Sequence, residues 1–384
     1  MMFRMFQRFS QVAGLSLICL LLAGCGGKKP DDKGTPGDPG KDKQGSSDSS
    51  SSGLAGKRLI VLMNNTSPFW VTLGAGVEEA NKEFGTKATL DQNTGGPDGQ
   101  VEKLKQYNTQ TDIAGVAISV TDKDNPAIAA ELRNLRKRGV QVITVDSDCD
   151  KGKYGDARRC FVGTDNPLGG ELLGLAAKQI LPDGGEYVCF VGLKGAHNAI
   201  ERMDGFQKGA GEKFKELARQ ADDVDDVRAQ ENVRNALLNF KGLNCLVGIW
   251  SYNAPAIATV VKANPEWRMK GGKVATFDAE PGAIKAMQEG LIDVMVVQDP
   301  FDMGFKSVKM LKALVEKDDK TVGEMLKNPN LAGDDWCETG LKVVAPDKDD
   351  TLKAESFGAW GSRVEFMKLK KLADWLKSKN LQGS

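Results

Sequence analysis

From Arg58 onward, short runs rich in Val, Ile and Leu alternate with longer stretches whose apolar residues recur at helical spacing. The runs predict strands at 59–63, 88–91, 113–120, 140–145 and 160–163, then at 186–191, 245–250, 273–277 and 292–297, with a further one at 341–344. The stretches between them predict helices over 70–84, 100–109, 126–137 and 170–180, and later over 199–214, 228–240, 255–263, 282–289 and 303–315. Strand–helix repeats whose strands are apolar almost throughout mean parallel sheets covered on both faces, an α/β fold. Single cores stop growing at about this length, so the series divides into two sheets.

Both ends break the pattern. Arg4 and Arg8 precede the apolar run "VAGLSLICLLLAG", which ends at Cys25. That basic-then-apolar order is the order of an export signal, and the run is too short for a permanent membrane span. Leu22-Ala23-Gly24-Cys25 resembles the lipobox of bacterial lipoproteins. The resemblance implies cleavage after residue 24 and acylation of the Cys25 thiol. Residues 26–56 are mostly Gly, Ser, Pro, Lys and Asp and cannot build a core. They read as a disordered tether with a root-mean-square span of roughly 30 Å. At the other end, "RVEFMKLKKLADWLKSKN" is amphipathic and reads as one helix, packed on a lobe rather than lying on a membrane.

Composition narrows the function. Lys+Arg and Asp+Glu are equal at 52 each, without the basic surplus that displaces counterions from nucleic-acid phosphates. The single histidine, His197, excludes a zinc site built on two or three histidines. It has no Gly-x-Ser-x-Gly elbow to serve and reads as a loop or helix-entry residue. Cys189 and Cys245 sit in apolar strand patterns as small buried hydrophobes, and Cys337 has no evident partner. Cys149 and Cys160 flank the polar excursion "CDKGKYGDARRC". In an oxidising compartment they either stay free or close a loop, the latter contributing roughly 3 kcal/mol.

In an open parallel sheet, ligands bind beyond the carboxyl ends of the strands. That rule picks out Ser67-Pro68-Phe69-Trp70, Ser119, Asp146-Ser147-Asp148, Asn253, Asp278 and Gln298. Each alone also suits a cap or a turn. Together they supply carboxylates, amides and aromatic faces, with no Gly-rich phosphate motif in the chain. Such a set suits a neutral polyhydroxylated ligand, because carboxylates and amides pair with vicinal hydroxyls and rings cover a sugar's C–H face. Charge-assisted bonds of this kind contribute roughly 1.5–3 kcal/mol each.

These segments, in this order, resemble the type I substrate-binding proteins of bacterial sugar importers, ribose-binding proteins in particular. "SPFWVTLGAGVEEANKEFG" is similar to the family's first strand–helix junction, with Ser67 in place of an Asn, Phe69 as the first aromatic and Trp70 as the second. "VQVITVDSD" provides Asp146, with Ser147 where an arginine would stand. "NAIERMDGFQKG" provides Arg202, "GIWSYNAPAIA" Asn253, "VATFDAEPGAIKAM" Asp278 and "VMVVQDPFDMG" Gln298. Ser119 falls where the family has an asparagine, and a far-wall aromatic falls near Asp225.

The resemblance implies two Rossmann-like lobes joined by three crossover strands, near Thr164-Asp165, Gln298-Asp299 and Glu338-Thr339. The first lobe is expected over 57–164 and 299–338, the second over 165–298 and 339–344, and an extension over 345–384. The lobes would close on a small sugar or polyol, or on a furanose-like quorum signal. The closed monomer, without cofactor or metal, would deliver its ligand to an ABC permease. Presentation to a chemoreceptor or sensor kinase is the alternative. A sugar-responsive repressor would need an N-terminal helix-turn-helix, and an enzyme on this fold would need a catalytic constellation that the chain lacks.

Overall fold

The structure is a computed structural model and describes residues 54–326 and 335–384. The export signal, Cys25 and the tether up to residue 53 lie outside the described residues. Leu54 already packs against the core of the first lobe, so packed chain begins before residue 57.

In the first lobe β1 (Arg58–Leu62), α1 (Phe69–Phe84), β2 (Ala88–Asp91), α2 (Gly96–Thr109) and β3 (Ile113–Ile118) follow in turn. Next come α3 (Pro126–Lys137), β4 (Gln141–Val145), a short α4 (Lys151–Tyr154) and β5 (Phe161–Gly163). The second lobe takes up α5 (Asn166–Ile180), β6 (Gly185–Val191), α6 (His197–Ala210), β7 (Phe214–Ala221), α7 (Asp226–Asn239) and β8 (Leu243–Gly248). It continues through α8 (Asn253–Ala263), α9 (Pro265–Met269), β9 (Lys273–Phe277), α10 (Pro281–Gln288) and β10 (Val294–Val297). The chain returns to the first lobe with α11 (Pro300–Glu316), α12 (Asp319–Leu326) and β11 (Trp336–Glu338). It ends in the second with β12 (Leu341–Ala345), β13 (Val364–Lys368) and α13 (Leu369–Ser378).

The first sheet has the order β11-β5-β4-β3-β1-β2 and is parallel throughout. The second has the order β13-β12-β10-β9-β8-β6-β7, antiparallel only where β10 meets β12. Each sheet is buried on both faces, which is why its strands are apolar almost throughout. The chain passes between the sheets after β5, after β10 and after β11. Two Rossmann-like lobes of parallel sheet are therefore present.

Two elements depart from the sequence pattern. β7, "FKELARQA", is an edge strand whose Lys215, Glu216 and Arg219 keep the rim charged, and those charges conceal it in the sequence. The amphipathic run at 363–380 is not one helix. Val364–Lys368 pairs in parallel with β12, and the helix begins only at Leu369, burying Leu369, Leu372 and Leu376 on the second lobe. No helix among the described residues is long and apolar enough to cross a membrane.

Cys149 and Cys160 are not bonded to each other. Both are buried free thiols, and the first sheet lies between them: Cys149 packs in the core on one face, Cys160 with Cys337 in the core on the other. Cys189 and Cys245 are buried within β6 and β8.

Candidate functional site

The carboxyl ends of the two sheets face each other across a cleft. β4 ends at Val145 and the next residue, Asp146, takes φ +63°; β9 ends at Phe277 and the next residue, Asp278, takes φ +62°. Asp is among the few residues that enter this left-handed region, at a cost of order 1–3 kcal/mol when strained. Strand order places β4 and β9 at the same position in their sheets. Each lobe thus presents one carboxylate from the same kind of sharp turn.

These two aspartates line a cavity with about 270 Å³ of empty space. The first lobe contributes Asn64, Asn65, Ser67, Phe69, Trp70 and Asp146; the second contributes Asn198, Arg202, Trp250, Ser251 and Asp278, with Gln298 at a crossing between lobes. Phe69 and Trp70 open α1, buried edge to face with ring centroids 5.4 Å apart. Trp70 is held by its indole N–H, which donates to Asn65 Oδ1 at 3.2 Å. Asn65 in turn donates to Asn64, whose amide reaches Asp146 at 3.5 Å.

Arg202, 1% exposed on α6, is held by three hydrogen bonds from its guanidinium. It donates to Asn166 Oδ1 at 2.9 Å, to the Ile249 carbonyl at 3.1 Å and to Gln298 Oε1 at 2.7 Å, and its guanidinium lies over the Phe277 ring. Asp146 is 3.9 Å away across the cleft. Gln298 also accepts from Thr164 at another crossing and donates to both Asp278 oxygens at 3.1 Å. Two of the inter-lobe crossings are therefore wired directly into the site.

The approach of α6 explains the "NPLGG" run of α5. A Cβ at Gly170 would stand 2.2 Å from the Arg202 carbonyl oxygen, so glycine sets the helix separation that places Arg202.

Burial raises the Asp278 pKa to about 6 against the opposing pull of Arg202 and Gln298. Burial raises Asp146 as well, opposed by Arg202, Ser119 and Asn198. Both carboxylates are desolvated, and the protein donors around them offset that only in part. Two acceptor-rich acids, several amides and aromatic walls can take up vicinal hydroxyls and the C–H face of a small ring.

Of the residues singled out in the sequence, Ser67, Phe69, Trp70, Asp146, Arg202, Asp278 and Gln298 are brought to this cavity. Four are not. Ser119 stands behind Asp146 and donates to it at 2.8 Å. Ser147 is buried with its hydroxyl unpartnered and does not line the cavity. Asn253 accepts from the Trp250 N–H at 3.0 Å and donates to Asp222 at 2.9 Å, positioning Trp250. Asp225 is exposed and caps α7 by accepting from Arg228 N, so it belongs to helix structure and not to the site. Asp148 is likewise diverted to a buried ion pair with Arg158.

Asn64, Asn65, Asn198, Trp250 and Ser251 were not singled out. Asn64 and Asn65 read as strand-end residues, yet they secure Trp70 and reach Asp146. Trp250 was absorbed into strand 245–250; β8 stops at Gly248, which puts Trp250 beyond the strand end and on the far wall. Applying the strand-end rule two residues earlier would have found it.

The periplasmic binding protein domain family matches residues 59–319. The ribose import binding protein RbsB of Bacillus subtilis is 25% identical over 274 residues, covering 70% of this chain and 84% of that protein. The D-allose-binding periplasmic protein of Escherichia coli is 25% identical over 278 residues, 68% of this chain and 86% of that one. A solved ABC transporter solute-binding protein from Burkholderia graminis, in complex with D-arabinose, has a TM-score of 0.65 and 26% identity over 76% of this chain and 96% of that one. With its two facing parallel sheets and a cavity between them, the chain belongs to the periplasmic binding protein domain family, type I in architecture, with a solute-binding role.

Proposed function

We propose that the chain captures a small neutral sugar or polyol between its lobes and delivers it to an ABC permease. The observation that carries this reading is the pair of buried aspartates, Asp146 and Asp278, one from each lobe, facing a cavity walled by Phe69, Trp70 and Trp250. Hydroxyls pairing with both carboxylates would tie the lobes together around the ligand. The sugars of the relatives, ribose, D-allose and D-arabinose, support the same chemical class.

The periplasmic relatives imply an exported protein. We extend this to a lipoprotein anchored through Cys25, acting as a monomer on a tether. Labelling with a palmitate analogue tests the anchor: Cys25→Ala abolishes the label, and a label that persists overturns it. A thermal-shift screen of pentoses, hexoses, polyols and furanose-like quorum signals tests the ligand class. Ligand uptake by cells that lack the chain separates delivery to a permease from presentation to a sensor: loss of uptake marks the first.

A further inference from the structure

The cleft continues past the cavity described above. Ser67 lines that cavity and also lines a second compartment, with about 710 Å³ of empty space, open to solvent at its mouth. Thr66 and Pro68 form its first-lobe wall; Gln230, Tyr252, Thr259 and Glu280 stand on the second-lobe side. Both lobes are needed to complete it.

Glu280 is the unusual member. It is 5% exposed and lines the compartment. One oxygen accepts from Ser251 Oγ at 2.5 Å; the other is not one of the enclosed atoms without a partner and faces the open compartment. Ser251 itself lines the inner cavity, so one hydrogen bond links the two compartments. Around Glu280, Tyr252, Pro255 and Ala256 offer apolar surface. A carboxylate oxygen open to the compartment, beside apolar surface, repeats in a wider space the chemistry of the inner site.

We propose that the outer compartment is a second sugar subsite, so that the ligand is a disaccharide or glycoside. Its first ring sits between Asp146 and Asp278, and its second ring donates a hydroxyl to Glu280. The inference rests on the reading that the inner cavity holds a sugar ring. The inner cavity is the smaller of the two, and the outer compartment gives a substituent of a ring bound there somewhere to go.

Calorimetric titration of the purified full chain with disaccharides and with their component monosaccharides tests this. At least one disaccharide is expected to bind about tenfold more tightly than either component, a difference of about 1.4 kcal/mol. Thr259→Trp, on the exposed side of α8, should fill the compartment and remove that advantage while monosaccharide affinity is unchanged. Glu280→Gln should lower disaccharide affinity in the same selective way; if it fails to fold, Thr259→Trp still decides. If monosaccharides bind and no disaccharide binds more tightly, or if Thr259→Trp leaves disaccharide affinity intact, the second subsite is overturned alone. If no sugar of either size binds, the sugar reading falls and takes this inference with it.

Discussion

Asn198, at the start of α6 in the second lobe, donates its side-chain amide to both carboxylate oxygens of Asp146 in the first, at 3.3 Å to each. The lobes therefore meet across the cleft through protein atoms, helped by Lys123 N–H donating to the Gly195 carbonyl at 3.1 Å. A hydrogen bond to a charged group contributes about 1.5–3 kcal/mol. Asn198→Ala should therefore shift the ligand-free chain toward an open form by about 10–100-fold. Small-angle scattering should show a larger radius without ligand and an unchanged compact form at saturation. An unchanged ligand-free radius would show that Asn198 does not hold the lobes.

The raised Asp278 pKa sets a pH dependence. Its ordinary value is 3.8 and its folded value about 6. Below about 3.8 both folded and unfolded chains hold this proton; between the two values only the folded chain does. The stability this group contributes is full at the acid end and lost as pH rises through about 6. Glu280, raised by burial to about 7, and Asp222, raised by burial to about 6, act in the same direction. The melting temperature of the ligand-free protein should rise from pH 7.5 to 5.5, and less so in Asp278→Asn. Sugar affinity should move the other way, falling below about pH 6 as the acceptor is protonated, and titrations across that range read it directly.

Gly170 supports the placement of Arg202 by letting α6 pack closely against α5. With a Cβ there only 2.2 Å from the Arg202 carbonyl oxygen, Gly170→Val should cost about 1–3 kcal/mol of stability, as overpacking does. Ligand affinity should fall with it, since α6 carries both Asn198 and Arg202. Denaturant melts and titration of the same preparation check both. Full stability with full affinity would show that the helices separate freely.

The last residues of the chain bridge the lobes. Ser384 and Ala279 exchange two backbone hydrogen bonds at 3.0 Å beside Asp278, and the Thr72 hydroxyl of α1 donates to the Gly383 carbonyl at 2.7 Å. Opening the cleft must break the Thr72 bond or pull the tail from the second lobe. One such bond contributes about 1 kcal/mol, so Thr72→Val should speed ligand release about fivefold with little effect on association. Stopped-flow release kinetics measure this, and an unchanged release rate would show the tail to be passive.

Much of this architecture was legible because parallel strands buried on both faces leave unmistakable apolar runs, as at β1, β3, β4 and β9. β7 was hidden because an edge strand carries charges, and β13 because Val364 and Phe366 fall within a run that also fits a helix. For the site, the strand-end rule reached Asp146 and Asp278 because their strands stop where the apolar run stops. It missed Trp250, whose apolar ring extends the run beyond the end of β8. It missed Asn64 and Asn198, because an amide in a loop or a first helical turn looks like any cap until its partner across the cleft is known. Asp225 shows the converse: its side chain is spent on capping α7.

Titration of the wild-type chain, Asp146→Ala and Asp278→Ala with the sugar that most raises the melting temperature tests the central claim most directly. At a hundred times Kd that sugar should stabilise the wild type by about 2.7 kcal/mol, a shift of several degrees. Each substitution should weaken binding about 10–100-fold while the sugar is recovered unchanged. Unaltered affinity in both variants, or turnover of the bound sugar, would contradict the account.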